Sequence, residues 1–166
     1  MVHLRSAILA LAFVLPSLPV SAQDLSALAP ADEYFGHYRL SVLGIANTIR
    51  DSGTRMDEGK TAAMIDGPLA FASDAIRAWE RQFPRDPWIA RDLFALQLVY
   101  LHARTPRGNE LARSTTAWLV ADYPNSQEAA DARGALAEAF GDGGGTRSTA
   151  DAWERFAALR APLPPH

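Results

Sequence analysis

Ala75-Ile76-Arg77-Ala78-Trp79 runs into Phe83-Pro84, and a new helix start, Asp86-Pro87, follows at once. Ser114-Thr115-Thr116-Ala117-Trp118 runs into Tyr123-Pro124, and Asn125-Ser126 follows in the same place. Ala152-Trp153-Glu154-Arg155 then repeats Ala78-Trp79-Glu80-Arg81 letter for letter. The three tryptophans stand 39 and then 35 residues apart, a period typical of helical-hairpin arrays. Such arrays build extended binding surfaces, so the phrase predicts an all-α chain whose task is recognition.

The helices extend outward from that phrase. Leu69, Ala72, Ile76, Trp79 and Phe83 recur at three- and four-residue steps, which predicts a helix over 68–83, with Pro68 in its first turn and Pro84 as its stop. Asp86 caps the next helix and Pro87 opens it. From Trp88 to Leu101 that segment is apolar nearly all round, as a central core helix should be. Asn109 is expected to cap a helix over 109–123, and Asn125 with Glu128 one over 126–140. Gly141 to Gly145 breaks the chain before a last helix over 148–160 with Trp153, Phe156 and Leu159.

On the N-terminal side, Phe35, Tyr38, Val42, Ile45, Ala46 and Ile49 predict a helix from Ala31 to Arg50 with Gly53 as its stop. Gly36 and Gly44, on nearly the same side of it, imply close approach by a neighbour. Residues 51–67 are expected to form a long loop with one embedded turn. The pairing is then 31–50 with 68–83, 87–104 with 109–123, and 126–140 with 148–160, three hairpins in all. The tryptophans are expected to be core pins.

At Ala75, Trp79 and Pro87, and at Leu93, Leu96 and Tyr100, the chain resembles the tetratricopeptide repeat family. Trp118 and Ala121 fit a second copy, with Gln127 where the family places Pro. The Tyr123-Pro124-Asn125-Ser126 turn is similar to one in exported bacterial members. Departures are Gln97 in place of a small residue and a longer turn from Ala103 to Asn109. The resemblance implies about three stacked antiparallel helical hairpins in a right-handed array.

The first 22 residues have the layout of a cleavable signal peptide: Arg5, an apolar run from Ala7 to Leu15, and Val20-Ser21-Ala22 at the cut. Ala27-Leu28-Ala29 is a second candidate cut. The apolar run is short of the roughly 20 residues that a membrane span needs. Residues 23–30 are expected to be a flexible leader, 31–160 the helical domain, and 161–166 a disordered tail. The expected location is the bacterial periplasm or the exterior. The chain has no cysteine, so helix packing rather than disulfides must stabilise it. Removing Arg5 leaves 15 basic against 19 acidic residues, and no basic stripe points to nucleic acid. A protein or peptide of the cell envelope is the expected partner, with homodimerisation as a further expectation.

No catalysis, metal or cofactor is expected. His37, His102 and His166 are not spaced as helical metal ligands, and Gly141 to Gly145 lacks the companions of a phosphate or calcium loop. His102 reads as a helix-end residue, and Asp57 and Glu58 as solvated carboxylates. The candidate partner-binding residues are Arg39, Asn47, Arg50 and Arg55, the polar edge of the first helix and its loop. The alternative is a small periplasmic enzyme whose site is assembled from dispersed carboxylates and His102.

Overall fold

The computed structural model describes residues 27–141. The expected signal segment, the helix over 148–160 with Trp153, and the tail all lie outside the described residues. The helices are α1 (Val42–Asp57), α2 (Thr61–Met64), α3 (Ala70–Gln82), α4 (Pro87–His102), α5 (Pro106–Asp122) and α6 (Gln127–Phe140). A single π-helical turn, Ile65–Leu69, carries α2 into α3. The described chain is therefore all-α, with five long packed helices.

Hydroxyl and carboxylate caps set four of the starts. Ser41 Oγ accepts the Gly44 N–H at 3.1 Å, Asp86 Oδ1 the Trp88 N–H at 3.0 Å, Thr105 Oγ1 the Gly108 N–H at 3.0 Å, and Ser126 Oγ the Ala129 N–H at 3.1 Å. Each such cap stabilises its helix by about 1 kcal/mol. Asp86-Pro87 works as the sequence predicts. Thr105 rather than Asn109 caps α5, with Pro106 in its first turn, and Ser126 rather than Asn125 caps α6.

The expected helix over 31–50 is corrected most. Phe35 and Leu40 instead pair as an antiparallel bridge, exchanging N–H···O bonds of 2.8 and 2.9 Å. The turn between them needs left-handed backbone at Gly36 (φ 71°) and Arg39 (φ 52°), which no right-handed helix contains. A Cβ on Gly36 would sit 2.8 Å from Ala75 Cα, so the strap lies directly on α3. It delivers Phe35 onto Trp79, with ring centres 5.8 Å apart, and edge-on to Phe83 at 6.0 Å. The leader's end is held as well: the Ala29 N–H donates to Asp86 Oδ2 at 2.8 Å.

Gly53 does not stop α1. It is buried in mid-helix beside Ile49, Ser52 and Met56, and burying that face outweighs a glycine penalty of about 1 kcal/mol. The expected loop over 51–67 shrinks accordingly to the residues between α1 and α2. Pro68 does not open a helix either. It lies inside the π turn, where the wider hydrogen-bond spacing accommodates its missing N–H.

α4 is the central element, packed against α1, α3, α5 and α6. Ile89, Leu93, Leu96 and Val99 are fully buried or nearly so. Gln97, also buried, donates from Nε2 to the Ala132 carbonyl at 3.0 Å and links α4 to α6. At the α4–α5 turn a Cβ on Gly108 would lie 2.6 Å from the Tyr100 carbonyl oxygen, so the close approach requires glycine there. Of the repeated tryptophans, Trp79 is a core pin with no exposed surface. Trp118 is not: it is half-buried, its Nε1–H donates to Glu80 Oε2 at 2.9 Å, and the Arg77 guanidinium lies 4.0 Å over its ring. It packs against the edge of the core and clips α5 to α3 through polar contacts.

Candidate functional site

After Pro87, the residues of α4 that are not buried are Trp88, Arg91, Ala95 and His102. Their spacing of three, four and seven puts them on one side of the helix. Burial everywhere else makes this stripe the opening through which α4 meets the surroundings. Arg91 lies over the Trp88 ring at 4.9 Å, which presents a flat aromatic face together with a fixed charge.

On α1, Leu43, Asn47, Arg50, Thr54 and Asp57 recur at alternating steps of four and three and form a second open or half-open stripe. The two stripes meet where the helices end. His102 Nε2–H donates to Asp57 Oδ1 at 2.7 Å; the side chains are 18% and 53% exposed. A carboxylate orients an imidazole in this way in general acid–base sites. The ring's Nδ1 is shut off from solvent, so Asp57 is the accessible member of the pair, and proton exchange at His102 with a bound molecule requires the ring to turn.

The firm expectation that the chain performs no catalysis is corrected by this geometry. His102–Asp57 joins residues 45 apart in the chain. Other long-range polar contacts accompany it: Trp118 to Glu80, Trp79 Nε1–H to Asp86 Oδ2 at 3.1 Å, and the His37 backbone N–H to Asp74 Oδ2 at 2.8 Å. Polar and titratable groups are thus organised across helices, as a dispersed site requires. Among the described residues, no group of three or more His, Cys, Asp or Glu could hold a metal ion.

The four candidate binding residues do not form one cluster. Asn47 and Arg50 share the α1 stripe, and Arg50 pairs with Asp51 at 3.0 Å. Arg55 is exposed five positions further on, which turns it away from Arg50 on the helix. The Glu58 carboxyl is held below its usual range by the hydrogen bond and charge of Lys60, with Arg55 adding a smaller contribution. Arg39 sits in the strap, its guanidinium 5.7 Å over the Tyr34 ring. Reasoning from sequence missed the exposed strap aromatics Tyr34 and Tyr38 and the Trp88–Arg91 stack. The missed stack had one signal, Arg91 three residues after Trp88 and so on the same side of the helix. No helix among the described residues is long and apolar enough to cross a membrane. Comparisons with protein-family models, curated proteins and solved structures find no match to this chain.

Proposed function

We propose that this chain is an exported recognition module that holds a protein or peptide partner against the paired stripes of α1 and α4. The observation that carries the reading is the stripe on α4: a helix buried on all its other faces keeps Trp88, Arg91, Ala95 and His102 partly open. A flat aromatic with an arginine on it is the composition that dominates protein–protein contacts. Leu43, 70% exposed at the start of the α1 stripe, adds apolar surface, and Asn47 and Arg50 add hydrogen-bonding groups.

A stacked-hairpin array of the tetratricopeptide kind is the architecture we infer for it. The support is the packing order: α4 meets both α5 and α6, α5 meets α6, and α1 meets both α3 and α4. α1 and α4 thus each touch the next two long helices along the chain, as the first helices of successive hairpins in an array do. Export rests on the layout of residues 1–22. The test is photo-crosslinking in the cell of origin, with a crosslinker placed in turn at Asn47, Arg91, Ser114 and Ala121. Specific adducts from the first two positions alone support the reading, and an even distribution over all four overturns it.

The 2.7 Å His102–Asp57 pair favours a second reading, an acid–base site at the end of the same surface. Such a site would serve reactions in which a positioned base activates water. Turnover lost equally in His102→Gln and Asp57→Asn, with the fold intact, supports this reading. Turnover unchanged in both removes it.

A further inference from the structure

α4 carries two buried carboxylates that the fold treats differently. Asp86, at the cap, has three N–H donors converging on it, from Ala29, Trp79 and Trp88. Asp92, two turns into the helix, is 6% exposed, and its Oδ2 is shut off from water with no hydrogen-bond partner. A buried carboxylate without donors is costly when ionised and much less so when neutral.

We propose that Asp92 is a proton-dependent latch: α4 packs with Asp92 protonated, and loss of that proton loosens α4 and the stripe it carries. The inference goes beyond the recognition reading and stands whichever molecule the stripe meets, because it concerns only how α4 is seated. Burial pushes the Asp92 carboxyl from 3.8 up to about 7; Arg91 beside it partly offsets the rise, and Asp86 adds to it. Those two are the charged groups that act on it. No charged side chain described on α1, α3, α5 or α6 contributes.

The sign follows from proton linkage. The folded chain holds a proton on Asp92 that the unfolded chain has released between 3.8 and about 7. The stabilisation from this residue is therefore complete below about pH 4 and is lost as pH rises toward about 7. Within that window the ratio of folded to unfolded chain falls by about tenfold per pH unit on account of this one group.

The experiment uses the full chain with ¹³C-labelled aspartate. The Asp92 Cγ resonance is followed by NMR from pH 4 to 9, and urea unfolding is compared between the native chain and Asp92→Asn at pH 5 and pH 7. The expected results are a Cγ titration near 7 and a fall of about fiftyfold in the native folding ratio between the two pH values. Asp92→Asn should lose that fall. A Cγ titration near 4, or parallel pH dependence in the two proteins, overturns the latch. Should Asp92→Asn fail to fold, the native titration alone decides, because it needs no variant.

Discussion

His102 Nε2 lies 2.7 Å from Asp57 Oδ1, so the last residue of α4 is tied to the last residue of α1. The bond joins the ends of two stripes, Leu43 to Asp57 and Trp88 to His102. It is not a major support of the fold. Asp57 is about half exposed, and exposed pairs of this kind contribute about 0–1 kcal/mol. His102→Gln and Asp57→Asn should each lower unfolding stability by less than about 1 kcal/mol in urea titrations. A loss several times larger would mean that the pair is structural, and would argue against a functional role for it.

The two described tryptophans of the repeated phrase should separate sharply. Trp79 is fully buried and stacked on Phe35, so Trp79→Ala is expected to cost about 3–5 kcal/mol. Trp118 keeps solvent contact, and its partner Arg77 is exposed and can return to water. Its replacement by Ala should cost roughly 1–2 kcal/mol. Equal losses, measured by chemical denaturation, would show that both rings are core pins.

Two glycines give opposite expectations. Gly36→Ala places a methyl 2.8 Å from Ala75 Cα at a φ of 71°, which should destabilise the chain by about 1–3 kcal/mol and lift the strap from α3. Gly134 lies within α6, and a Cβ there meets nothing within 4 Å. Gly134→Ala should raise stability by about 0.5–1 kcal/mol through helix propensity. Thermal melts of the two variants should shift in opposite directions.

The parts legible in the sequence are those held by local chemistry. Asp86-Pro87 is a cap followed by a proline, and both act within one turn of helix. The unbroken apolar content of α4 announces its burial before any neighbour is known. The strap was misread because Phe35, Tyr38 and Val42 happen to fall at helical spacing, while the bridge from Phe35 to Leu40 and the left-handed turn depend on α3 lying beneath them. Gly53 suggests a helix end until burial of that face of α1 decides otherwise. Asp57 and His102 are separated by most of three helices, and nothing local in either segment marks the other as its partner.

Crosslinking position by position distinguishes a partner held on the α1 and α4 stripes, as proposed, from one held on any other face. A photo-crosslinker at Asn47 or Arg91 should give a discrete adduct in cells, and competition by unlabelled protein should abolish it. The same crosslinker at Ser114 or Ala121, both exposed on α5, should give none. Adducts from the α5 positions with none from Asn47 or Arg91 would contradict the account.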